Sequence, residues 1–130
     1  MDQKQYSILI VDDSETDRAL LYNYLEELNC IITHAVDGED AVEHCESTRF
    51  DLIMMDIIMP LMDGVDAIRE IRKIEIHTGR TKTPILALSA EESVETGVDS
   101  MSAGATRMLT KPLSRQGLLD TVRELLKAGA

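Results

Sequence analysis

The chain has 130 residues, enough for one domain with its own core and too few for two. At 44% hydrophobic and 28% charged it is globular rather than disordered, and with 3% aromatic residues and no Trp its core must be built from Ile, Leu, Val, Met and Ala. A net charge of −11 argues against nucleic acid, whose binders cluster Lys and Arg to displace counterions, and against an anionic membrane surface.

Short apolar runs alternate with helical periodicities. Ser7 to Val11 predicts a strand whose Ile8-Leu9-Ile10-Val11 run lacks alternation, as suits a strand covered on both faces. Ser14 to Asn29 predicts a helix with Ser14 as N-cap, Asp17 three residues on, and an apolar stripe of Leu21, Tyr24, Leu25 and Leu28. Ile31 to Val36, interrupted by Thr33 and His34, predicts an edge strand. Asp37 to Glu46 follows as a helix with Ala41, Val42 and Cys45 inward. Leu52 to Met55 predicts a buried strand, and Val65 to about Ile76 a helix buried through Val65, Ile68 and Ile71. Next come a strand at Ile85 to Leu88 and a helix at Glu91 to Ala103, weakened by Gly97 at about 1 kcal/mol relative to Ala. Arg107 to Thr110 is a short last strand. Ser114 to Lys127 is an amphipathic helix through Leu118, Val122, Leu125 and Leu126.

Five βα units in succession predict a parallel sheet with helices on both faces and right-handed crossovers. No linker, repeat or low-complexity tract breaks the pattern, so residues 1–130 read as a single domain with no output domain after the last helix. No apolar run approaches the ~20 residues that span a bilayer, and Met1 to Gln5 carries no secretory apolar segment. Cys30 and Cys45 form neither a C-x-x-C pair nor a zinc spacing, and read as thiols in a reducing compartment. The expected location is the cytoplasm. The three His residues lie away from the strand ends and read as surface or helix-face residues.

Open α/β sheets bind ligands outside the carboxyl ends of their strands. Asp12 and Asp13 follow the first strand, Asp56 the third, Ser89 the fourth, and Lys111 with Pro112 the fifth. Singly these are ordinary: an Asp pair after a strand is usually a turn or cap, and a Ser there usually a cap. Together they place three carboxylates, a hydroxyl and an ammonium on one edge. Crowded carboxylates repel, and a bound Mg2+ relieves the conflict while leaving positions for water and phosphate oxygens. One carboxylate can then attack phosphorus, with Lys111 and Ser89 holding the oxygens on which charge spreads.

The motifs Ile10-Val11-Asp12-Asp13-Ser14, Asp56-Ile57-Ile58-Met59-Pro60-Leu61-Met62-Asp63-Gly64, Ala87-Leu88-Ser89-Ala90 and Thr110-Lys111-Pro112 resemble the receiver domains of two-component response regulators and hybrid histidine kinases. The resemblance runs from about Tyr6 to Lys127, which is taken as the domain core. It implies a flavodoxin-like doubly wound (βα)5 sandwich with a five-stranded parallel sheet in the order 2-1-3-4-5. Asp56 is then the phosphoacceptor. Asp13, Asp56 and the backbone carbonyl of Ile58 are the ligands of Mg2+ (or Mn2+), with Asp12 acting through a bound water. Ser89 and Lys111 hold the phosphoryl group, and the Lys111–Pro112 bond is cis. Met59, Pro60 and Gly64 shape the neighbouring loop. A histidine kinase or histidine phosphotransfer protein is the implied donor and a downstream effector protein the implied target. Such a chain is not a turnover enzyme, although it phosphorylates and dephosphorylates itself.

One position departs from the family. Three residues before Lys111 it carries a Tyr, Phe or His ring that moves inward on phosphorylation; here stands Met108, either a modified switch or a core methionine. The long Glu75 to Thr83 segment before the fourth strand is closer to hybrid-kinase receivers than to those of transcription factors. Two other readings compete. A haloacid-dehalogenase-like phosphatase shares the Asp nucleophile but shows D-x-D at its first strand, where this chain has adjacent Asp12 and Asp13. A pure interaction module, never phosphorylated, is disfavoured by intact Asp13, Asp56 and Lys111. A flavodoxin is excluded, since no Ser/Thr/Gly-rich phosphate loop follows the first strand.

Overall fold

In the computed structural model, residues 4–59, 62–90 and 94–128 are described. The elements are β1 (Tyr6–Val11), α1 (Glu15–Tyr24), β2 (Cys30–Ala35), α2 (Gly38–Ser47), β3 (Leu52–Asp56), α3 (Gly64–Thr78), β4 (Ile85–Ser89), α4 (Val94–Ala103), β5 (Arg107–Thr110) and α5 (Arg115–Ala128). Every strand pairing is parallel, and the sheet order is β2-β1-β3-β4-β5. This is the flavodoxin-like order that the resemblance implied.

The uninterrupted apolar strands serve two cores at once. Successive strand side chains point to opposite faces. Ile8 and Ile10 of β1 therefore pack with Leu21 of α1 and with Leu118, Leu119 and Val122 of α5. Leu9 and Val11, one position out of phase, pack with Ala41 and Cys45 of α2 and Ala67, Ile68 and Ile71 of α3. All of β3 and β4 is buried, as the central positions in the sheet require. β2 lies at one edge and leaves Ile31 exposed; β5 lies at the other.

Side-chain caps set the helix starts. Ser14, Asp37 and Asp63 accept the N–H of Asp17, Asp40 and Asp66 at 3.2, 2.8 and 2.9 Å. Ser114, read from sequence as the first residue of the last helix, is its cap and accepts the Gly117 N–H at 3.0 Å. The first helix is shorter than predicted, ending at Tyr24 instead of Asn29. Asn29 is already committed to β1, its carbonyl accepting the Tyr6 N–H at 3.0 Å, so the chain must leave the helix earlier. Leu25 and Leu28 still pack into the core from the turn, which is why the apolar period outlasts the helix. Gly97 does fall within α4, but the predicted start at Glu91 lies outside the described residues.

A buried ion pair ties α3 to the segment before β4 and to the turn between α4 and β5. Arg72 contacts Glu75 at 2.7 Å, the Thr83 carbonyl at 2.8 Å and, through two nitrogens, the Gly104 carbonyl at 3.0 and 2.8 Å. The second Glu75 oxygen accepts the Thr83 N–H at 2.8 Å. Pairing of this kind is what a charge needs in order to be buried.

Candidate functional site

The strand register brings the predicted residues to one edge. Asp12 follows β1 directly, and its N–H still donates to the Ala35 carbonyl of β2 at 3.1 Å. Its Oδ1 accepts the Ser14 N–H at 2.9 Å, and its carbonyl accepts from Arg18 Nη1 at 2.6 Å. These bonds hold the Asp12 carboxylate in place although it is buried. Asp13 is exposed beside it, and Asp56, the last residue of β3, is buried. One carboxylate oxygen from each of Asp12, Asp13 and Asp56 lies within 4.8 Å of the others.

Lys111 closes the cluster. Its N–H donates to the Ser89 carbonyl at 2.7 Å, joining the ends of β4 and β5. The Lys111–Pro112 bond is cis, in agreement with the resemblance. The ammonium stands 3.1 Å from Asp12 Oδ2, 3.3 Å from Asp17 Oδ2 and 3.8 Å from Asp56 Oδ1. Ser89 ends β4, fully buried, opposite Thr110 of β5.

Electrostatics make Asp56 the distinctive carboxylate. Burial, then the charge of Asp12 and that of Asp13, push its pKa up to about 6, against the opposing pull of Lys111 and a hydrogen bond from the Ile58 backbone. Burial works to lower the pKa of Lys111, but its hydrogen bond to Asp12 and the charges of Asp56 and Asp12 outweigh it and raise the pKa. At Asp56, burial and the two neighbouring carboxylates together outweigh the pull of the Lys111 ammonium. Such an all-oxygen donor set fits a hard divalent cation, whose charge removes the repulsion.

The flanking loop is shaped by close approach. The Gly64 N–H donates to the Ile57 carbonyl at 2.8 Å, and a Cβ at Gly64 would sit 2.3 Å from the Asp56 carbonyl oxygen. Only glycine lets α3 begin directly against the end of β3. Ile58, expected as a backbone ligand, follows Asp56 by two residues with its side chain exposed. Pro60 lies outside the described residues. Met108, on β5 opposite Ala87, is partly buried against the core on the α2 and α3 face. Asp17 and Arg18 were not foreseen as parts of the site. Asp17 stands in the first turn of a helix, where an acid ordinarily complements the helix dipole, and nothing local signals its link to Lys111.

Residues 8–123 match the family model described as the response regulator receiver domain. The chain belongs to the response regulator receiver domain family. The receiver is 37% identical over 121 residues to the chemotaxis protein CheY of Halobacterium salinarum, covering 93% of this chain and 97% of that protein. It is 34% identical over 124 residues to the transcription factor prr1 of Schizosaccharomyces pombe, covering 95% of this chain but only 22% of its relative. Among solved structures, a Francisella response regulator receiver domain aligns at TM-score 0.85 and 30% identity, covering 96% of this chain and 99% of that one. The receiver domain of a Pseudomonas aeruginosa sensor histidine kinase, which holds a magnesium ion in its active-site cleft, aligns at TM-score 0.85 and 31% identity, covering 95% and 99%.

The receiver therefore carries its acidic cluster, Asp12, Asp13 and Asp56, at the phosphorylation site of a two-component signalling domain. Receiver domains bind Mg2+ there and interact with histidine kinases and effectors, and they are generally not turnover enzymes. The haloacid-dehalogenase reading is thereby set aside. No helix among the described residues is long and apolar enough to cross a membrane.

Proposed function

We propose that Asp56 accepts a phosphoryl group from a phosphohistidine on a histidine kinase or phosphotransfer protein, and that residues 1–130, with a core of about 6–127, act as one receiver domain. The observation that carries this reading is the meeting of three carboxylates with the Lys111 ammonium 3.8 Å from Asp56. An Asp56 oxygen attacks phosphorus, the P–N bond to the donor imidazole breaks, and the imidazole nitrogen leaves with the electron pair. With its pKa near 6, Asp56 is mostly ionised and nucleophilic at neutral pH.

Asp13, Asp56 and the Ile58 carbonyl would hold Mg2+, or Mn2+ in its place, and Asp12 would act through a water. The ion's chemistry is to neutralise the phosphoryl oxygens as they gather charge. Lys111, positioned by Asp12 and Asp17, pairs with another of those oxygens, and the Ser89 hydroxyl binds a third. Phosphorylation biases two pre-existing conformations rather than creating a new one. Because Met108 replaces the usual ring, the response across α4 and β5 is muted, and it reaches an effector protein through that face. The cytoplasm, where phosphohistidine donors act, is the proposed setting.

Incubation with Mg2+ and acetyl phosphate should add one phosphoryl group by intact mass, and the addition should vanish in Asp56→Asn. Labelling that persists in the variant would overturn the assignment. Backbone NMR shifts on adding beryllofluoride, a stand-in for the phosphoryl group, should extend to Met101 through Met108; silence there would reject the output face.

A further inference from the structure

We propose a second ligand site, at the opposite edge of the sheet from Asp56, that takes a small organic phosphate. A cavity of about 350 Å3 opens between the segments that lead into β3 and β4. Its lining includes the apolar Phe50, Ile71 and Ile74 and the cationic Arg49, Arg80 and Lys82. Its size is that of a small-molecule pocket, not of a macromolecular face. In a chain of net charge −11 with only 13 Lys and Arg, three of those cations converge here.

Their charge is not consumed by neighbours. The Arg80 guanidinium is held by the neutral carbonyls of Cys45 and Glu46 at the end of α2, so it is fixed in place while keeping its full charge. The side chains of Arg49 and Lys82 make no ion pair or hydrogen bond among the described residues. The two carboxylates that border the cavity are engaged elsewhere. Asp51 accepts the Ser7 N–H at 2.8 Å and lies 3.8 Å from Lys4, and Glu75 is taken by Arg72 and the Thr83 N–H.

The cation-bearing loop is also held in shape. Gly79 ends α3 at φ 70°, the left-handed cap conformation, and the Arg80 N–H returns to the Glu75 carbonyl at 2.9 Å. Thr83 is clamped at its other end by Arg72 and Glu75. A rigid loop lowers the ordering cost of binding. The free Arg49 fork, the Lys82 ammonium and the fixed charge of Arg80, beside lining residues such as Phe50 and Ile74, suit a phosphate attached to an apolar or aromatic body. The long Glu75 to Thr83 segment, which the phosphoryl site leaves unused, gains a role in this way.

The test is an NMR titration of the metal-free full chain with ADP, with pyrophosphate and adenosine as separate probes. ADP at millimolar concentration should shift the backbone amides of Thr48 to Asp51 and Arg80 to Thr83. Pyrophosphate should shift the same residues more weakly, and adenosine should not. The exposed pair Arg49→Gln and Lys82→Gln should weaken ADP by about tenfold, while Asp56→Asn leaves it unchanged. Shifts confined to the Asp56 edge, no shifts at about 5 mM ADP, or full affinity in the double variant would each overturn the proposal.

Discussion

Replacing Asp56 with Asn should stabilise the metal-free receiver near neutral pH and do nothing in acid. Asp56 is buried with Asp12 and Asp13 within reach, and its pKa stands at about 6 against an ordinary 3.8. The sign follows from linkage. The folded protein holds this proton more tightly than the unfolded chain, so the associated stability is fully present below about pH 3.8 and is lost as the pH rises through about 6. At about 1.4 kcal/mol per pH unit, the span amounts to at most about 3 kcal/mol. Solvent reaches the cleft beside exposed Asp13 and screens these charges, so about 1–2 kcal/mol is the expected gain for Asp56→Asn at about pH 7.5. Urea unfolding in EDTA, followed by far-UV circular dichroism, would compare the two proteins from about pH 4 to 8. Taking the difference between them cancels the carboxylates remote from Asp56, which contribute equally to both. A gain independent of pH, or no gain at neutral pH, would refute an electrostatic cost at Asp56.

Three further outcomes test the surrounding structure. Asp13→Ala should weaken Mg2+ by at least about tenfold in calorimetric titration, because one carboxylate of the donor set is lost; unchanged affinity would remove Asp13 from the site. Gly64→Ala should cost about 1–3 kcal/mol in urea unfolding, since its Cβ would meet the Asp56 carbonyl oxygen at 2.3 Å, and an unaltered midpoint would show that α3 can slide away freely. Arg72→Ala should cost about 3–5 kcal/mol by leaving the Glu75 carboxylate buried without its cation, and a loss below about 1 kcal/mol would mean that water replaces the guanidinium.

Much of the molecule is written in local patterns. Three uninterrupted apolar runs and two shorter mixed ones, separated by helical periodicities, determine the alternating elements, because only the central strands are buried on both faces and lack polar alternation. Ser14 marks its helix start because a cap bonds only within its own turn, whereas the Asp37 and Asp63 caps emerged with the structure. Asp12, Asp13, Asp56, Ser89 and Lys111 are legible as site candidates because each sits at the end of a recognisable strand, and parallel strands put all those ends on one edge. The motif resemblance then supplies the strand order, which βα alternation alone leaves open.

Tertiary structure decided the rest. Asp17 meets Lys111 across 94 positions of sequence, a contact that depends on α1 and the end of β5 packing on the same side of the sheet. Arg72 reads as one more charge on an amphipathic helix until the α4–β5 turn brings the Gly104 carbonyl onto its guanidinium. Arg49, Arg80 and Lys82 look like scattered surface cations because they flank different strands, and only the pairing of β3 with β4 gathers them around one cavity. Sequence records which groups a strand end or helix face can offer. Which of those groups share a desolvated space, and so shift one another's charge, is set by pairing and packing between distant segments.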